Sequence, residues 1–249
     1  MADLRSMYLS TMASQWRRVA EQARSKRQPH AEYLADLARL EVTGRRERRI
    51  QRRIKEARFP MLKTLDVFDF DAQRGLDRDE ILELCDCEFV SEAANVVLVG
   101  SVGTGKTHIA IALGMACCQN DYRVRFTTAA ELTNMLVEAK SQDRLSRKLE
   151  QLARFDVVII DELGYVPFDK QGADLLFGFI TRVYERRSLI VTTNLPFAKW
   201  SEVFLDATAA AAVIDRIVHH ATVLATEGDS YRLRTATSKR RRRGRKGGR

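Results

Sequence analysis

An α/β fold, a parallel five-stranded sheet with helices on both faces, is what this sequence predicts, and three observations predict it. Short apolar runs alternate with helix-period segments about five times between residues 95 and 226. The first run, Val96 to Val99, leads into Gly100-Ser-Val-Gly-Thr-Gly-Lys-Thr107, which fits G-x-x-x-x-G-K-[ST] at every fixed position. A later run, Phe155-Asp-Val-Val-Ile-Ile160, ends in Asp161 and Glu162. Runs apolar at every position suit strands buried on both sides, as a helix-flanked parallel sheet requires.

Charge divides the chain before any element is assigned. The net charge of +9 conceals a basic stretch over 1–58, an acidic stretch over 59–238 and a basic tail over 239–249. Basic ends on an acidic centre point to a polyanionic partner, most often nucleic acid. Cys85-x-Cys87 and Cys117-Cys118 have no zinc-finger spacing, so neither zinc nor disulfides are expected, and a reducing cytoplasm is the simplest setting. No apolar stretch approaches transmembrane length and the first residues lack a signal-peptide core, so a soluble protein without membrane contact is expected.

In chain order, residues 1–58 read as a small all-helical domain, interrupted at Gln28-Pro29-His30. In its last turns Arg45, Arg46, Arg48, Arg49, Arg52, Arg53 and Lys55 far outnumber Glu47 and Glu56, with Ile50 and Ile54 on one face. Such a stretch is either a solvated charged helix or a phosphate contact, and the charge density favours the latter. Residues 59–94 form a linker and leading helix. In it Thr64-Leu-Asp-Val-Phe-Asp-Phe-Asp71 alternates apolar and polar residues. That segment either covers a nucleotide base or packs as an edge on the sheet. Residues 77–90 read as a helix.

The glycine-rich turn makes a P-loop. Gly100, Gly103 and Gly105, with Thr104, let backbone N–H groups converge on phosphate oxygens. The following helix aims its positive end at the same anion. Lys106 supplies a point charge and the Thr107 hydroxyl a Mg²⁺ ligand. Strands are expected at 123–128 and 188–193 and helices at 129–152 and 172–186. Lys140, Arg144, Arg147 and Lys148 form a second basic cluster. Asp161 would hold Mg²⁺ through water and Glu162 would polarise the attacking water. Asn194 ends its strand either as a γ-phosphate or water contact or as an ordinary turn residue. A helix over 209–220 carries Asp215-Arg216, a strand spans 222–226, and an extended piece spans 231–234. The tail has no apolar residue and is expected to be disordered when free.

Gly100-x4-Gly-Lys-Thr-His108, Asp161-Glu-Leu-Gly-Tyr-Val-Pro167, Thr192-Thr-Asn194, and Asp215-Arg-Ile-Val-His-His220 with Gly228-Asp-Ser-Tyr-Arg-Leu-Arg234 together resemble the IstB family. These are insertion-sequence transposition helper ATPases, related to DnaC helicase loaders within the AAA+ class. The resemblance runs from about residue 5 to 234 and leaves out the basic tail. It implies an AAA+ core over 95–238 that binds ATP and Mg²⁺. Gly100, Gly103, Thr104, Gly105, Lys106, Thr107 and His108 would hold the nucleotide, Thr107 and Asp161 the metal, with Glu162 and the sensor Asn194 in catalysis. Arg216 would reach the ATP of a neighbouring subunit, against the plainer reading of a surface ion pair with Asp215. Only 12 residues separate Thr226 from the tail, too few for a C-terminal lid domain. The family's logic is a homo-oligomer with ATP sites at subunit interfaces. It would form on duplex DNA through backbone contacts and engage the transposase of its element. The basic sets at 45–53 and 140–148 are the DNA candidates. A DnaC-like loader of a replicative helicase is the alternative.

Overall fold

The computed structural model describes residues 2–73, 75–165, 167–204 and 206–226. The extended piece expected at 231–234, the tail and any lid lie outside them. The chain divides into two compact units, Met1–Arg52 and Arg53–Arg249.

The first unit is helical: α1 (Ala2–Ser6), α2 (Ser10–Ser25) and most of α3 (His30–Ala57). Val19, Ala23 and Leu37 are buried between α2 and α3. Gly44 stands where any Cβ would strike the Thr11 side chain, so the two helices approach closely only because it has none. Beside it Glu41 is buried at 3% exposure. It accepts the Met12 N–H at 2.9 Å, one of the unpaired donors of the first turn of α2, and pairs with Arg45 at 3.0 Å and Arg48 at 3.2 Å. Burial opposes its ionisation, but the Met12 N–H and Arg45 outweigh burial and hold the carboxyl below the usual glutamate range. A depressed carboxylate stabilises the fold above its unfolded pKa, and that contribution goes as pH falls through the folded value. Glu41→Gln is therefore expected to lower the melting temperature at pH 7. Thermal scans from pH 7 downward should find the gap to wild type closing below about pH 4.5. A gap constant with pH would show that Glu41 acts by shape alone.

The second unit carries the sheet. After two 3₁₀ turns (Leu65–Val67, Phe70–Ala72) come α4 (Arg78–Leu84), α5 (Glu88–Ser91), β1 (Asn95–Gly100), α6 (Lys106–Gln119), β2 (Val124–Thr128), α7 (Ala129–Ser141) and α8 (Leu145–Leu152). Then follow β3 (Val157–Leu163), α9 (Lys170–Val183), β4 (Ser188–Thr193), α10 (Trp200–Phe204), α11 (Ala207–Val218) and β5 (Ala221–Thr226). The five strands are all parallel in the order β2-β3-β4-β1-β5. Alternate residues feed opposite faces. Val97, Val158, Ile160 and Val191 pack under α7, α9, α10 and α11, while Val96, Leu98, Ile159 and Ile190 pack under α4 and α6. Among the described residues no helix is long and apolar enough to cross a membrane.

Three details differ from the sequence expectations. The helix expected over 77–90 is two helices, because Cys87 takes a left-handed conformation between them (φ 63°). The helix over 129–152 breaks in the same way at Asp143 (φ 53°). The alternation at 64–71 makes 3₁₀ turns, not a sheet edge.

Candidate active site

Because β3, β4 and β1 are adjacent and parallel, their C-terminal ends open on one side, where a parallel sheet places its ligands. At the end of β1 the P-loop turns into α6. Gly105 caps that helix at φ 92°, and a Cβ there would strike the Phe68 ring. Lys106 is 9% exposed, and its Nζ donates to the carbonyls of Gly100 at 2.7 Å and Ser101 at 2.6 Å. Thr104 is fully buried. Its hydroxyl meets Thr226 Oγ1 at 2.6 Å, so it ties the loop to β5 and presents only its backbone to the anion space.

Asp161 is buried near the C-terminal end of β3. It accepts the Thr107 hydroxyl at 2.9 Å and the Thr192 hydroxyl at 2.5 Å. β3 slips register against β4 between Ile160 and Leu163, and Glu162 within this bulge has φ 61°. Its N–H leaves the ladder for Thr192 Oγ1 at 2.9 Å, and its side chain is exposed at the strand end. One β4 hydroxyl thus fixes both acids. Asn194, just beyond β4, has its Oδ1 buried without a hydrogen-bond partner.

The 64–71 segment crosses the P-loop. His108 Nε2 donates to the Thr64 carbonyl at 2.8 Å, and Phe68 lies edge-on to His108 at 5.0 Å. Burial lowers the His108 pKa and Lys63 adds to it, outweighing the Thr64 carbonyl, and the bond to that carbonyl needs a proton on Nε2.

Arg216 lies elsewhere. It donates to the Ala212 carbonyl at 2.9 Å and stacks over the Phe177 ring at 5.1 Å, and no ion pair with Asp215 is present among the described residues. Asn95, buried at the start of β1, donates to the carbonyls of Arg216 and Ile217 and accepts the Leu189 N–H. The C-terminal end of α11 is therefore fastened at the opposite end of β1 from the P-loop, roughly 17 Å away at ~3.3 Å per residue.

The basic residues divide as well. Arg45 and Arg48 are engaged with Glu41, Tyr8 and Thr11, while Arg46, Arg49 and Arg52 are exposed on α3 and Arg53 is half-buried. Arg144, Arg147 and Lys148 line a groove of about 230 Å³ between α7 and α8, with Lys140 exposed on the last turn of α7. Reading the sequence assigned no role to Asn95 and none to Thr192, which it noted only as part of the Thr192-Thr-Asn194 motif, and it left Phe68 in a segment with two readings.

The model of the family described as IstB-like ATP binding protein matches residues 2–239. The protein of insertion sequence IS21 from Pseudomonas aeruginosa that is named for ATP binding is 43% identical over 86% of this chain and 81% of its own length. The corresponding protein of insertion sequence IS5376 from Geobacillus stearothermophilus is 38% identical over 92% of this chain and 91% of its own. Among solved structures, the DnaC helicase loader superposes with a TM-score of 0.52 at 22% identity, covering 66% of this chain and 96% of that one. DnaA bound to AMPPCP and single-stranded DNA gives 0.54 at 19% identity, covering 67% and 50%. At these identities the likeness is one of fold.

Proposed function

The chain belongs to the family of IstB-like ATP-binding proteins, and on that premise we propose that it is a Mg²⁺-dependent ATPase of transposition. It assembles on duplex DNA with ATP and engages the transposase of its own element. The observation that carries this reading is the meeting of Thr107 with Asp161 at the shared strand ends, with Glu162 the next residue outward.

A hydroxyl and a carboxylate are hard oxygen donors, the kind Mg²⁺ takes beside phosphate oxygens and waters. When bound, the ion offsets charge on the β- and γ-phosphates. Lys106 exchanges its carbonyl partners for phosphate oxygens, and the N–H groups opening α6 face the same anion. Glu162 orients the lytic water and takes its proton. Asn194 offers that water an acceptor, its unpartnered Oδ1. Arg216 is fastened too far from the P-loop of its own subunit to serve it, so its charge acts on the γ-phosphate held by a neighbour. Turnover is thereby tied to assembly.

The DNA contacts are Arg46, Arg49 and Arg52 on one unit and Arg53, Lys140, Arg144, Arg147 and Lys148 on the other, read as backbone contacts that require no base recognition. Arg45 and Arg48 contribute field more than contact, since Glu41 holds them.

Light scattering with duplex or single-stranded DNA, each with ATP or ADP, tests the reading. A large assembly on duplex with ATP only is the expected result. Assembly on single strands, or only with a replicative helicase present, would overturn it in favour of a helicase loader.

A further inference from the structure

A cavity of about 400 Å³ opens beside the P-loop, with Met61, Val67, Phe68 and Ile111 in its apolar lining and Lys63, Asp69, Lys106 and Thr107 in its polar lining. That volume is in the range of small-ligand sites, and a lining that joins apolar walls to P-loop residues suits a nucleotide. One lining residue does not fit an inert wall. Gln73 is 5% exposed, yet its Oε1 is sealed from solvent with no hydrogen-bond partner. Its backbone N–H is committed to the Phe70 carbonyl at 3.0 Å, which fixes where the side chain starts. A buried amide oxygen without a partner is costly to keep in a fold.

We propose that Gln73 reads the 6-amino group of the adenine base. The inference rests on the nucleotide reading above and names the residue that gives the site its base preference. A primary amide carries an acceptor and a donor side by side, and the edge of adenine carries the complementary donor and ring-nitrogen acceptor. The terminal torsion of a glutamine is soft, so Oε1 turns into the cavity at little cost. Met61, Val67 and Ile111 cover the faces of the base. Phe68 closes the site toward the phosphates, its ring held between Phe70 at 4.8 Å and His108 at 5.0 Å and pressed on Gly105. The segment at 64–73 is then a base clamp, the first of the two readings its alternating pattern allowed.

The test uses the full chain and compares the affinity of ATP with that of purine riboside triphosphate, the same nucleotide without the 6-amino group. Wild type should prefer ATP by roughly ten- to a hundredfold, the worth of one good amide–base pair. Gln73→Met should remove that preference while binding purine riboside triphosphate about as well as wild type does. Gln73→Glu keeps an acceptor and should keep part of the preference, so it carries the test if the methionine variant does not fold. A preference undiminished in Gln73→Met, or no preference in wild type, would overturn the proposal while leaving the nucleotide site standing. Failure of wild type to bind either triphosphate would overturn both.

Discussion

Glu162→Gln is expected to leave ATP binding unchanged and to lower turnover roughly 10²- to 10⁴-fold, the usual worth of a general base. The substitution preserves length and shape but removes the carboxylate that the proposed mechanism uses to accept the proton from water. The setting makes the test clean. The Glu162 side chain is exposed at the strand end, whereas its backbone N–H, not its carboxylate, makes the bond to Thr192. The bulge and the positive φ belong to the backbone, so the variant should keep them. Phosphate release and nucleotide binding, measured on the same preparation, check both halves. Turnover at the wild-type rate would remove Glu162 from the mechanism, and lost binding would mean that the site had been damaged.

Arg216→Ala is expected to lower turnover by roughly three orders of magnitude or more, the scale found for arginines supplied to a γ-phosphate from outside the site. The stronger result is complementation. Lys106→Ala subunits should be inactive because they lack the phosphate-binding ammonium, yet each still presents an intact Arg216. Mixed with Arg216→Ala subunits, which keep Lys106, they should form interfaces that join a sound P-loop to a sound arginine and recover a measurable fraction of activity. No recovery at any ratio would refute action in trans. The geometry makes this sharp, because Asn95 binds the Arg216 carbonyl at the far end of β1 from Gly100. Within one subunit the Arg216 main chain is thus held at the far end of β1 from the P-loop, and a cis role predicts no complementation at all.

Much of this site was legible from local pattern. Four consecutive apolar residues before Gly100, and four between Asp156 and Asp161, can be satisfied only by strands buried on both faces. Helical spacing after Lys106 fixes where the P-loop ends. Helix ends were less legible. Cys87 and Asp143 adopt left-handed conformations that their residue types do not announce, and they divide segments whose periodicity reads as continuous.

What the sequence by itself determined is the parallel sheet and the inventory of residue types on it: the glycines, lysine and hydroxyl of the P-loop and the two acids that follow an apolar strand. What only the tertiary structure decided is which polar groups meet. Thr192 holds Asp161 and the N–H of Glu162 across about 30 residues of chain. Asn95 holds Arg216 across 121. Gln73 reaches the P-loop cavity through two 3₁₀ turns. The physical reason is that burial is written in the periodicity of each segment. Pairing between segments depends on strand order and register, here β3-β4-β1, and no segment carries that order alone.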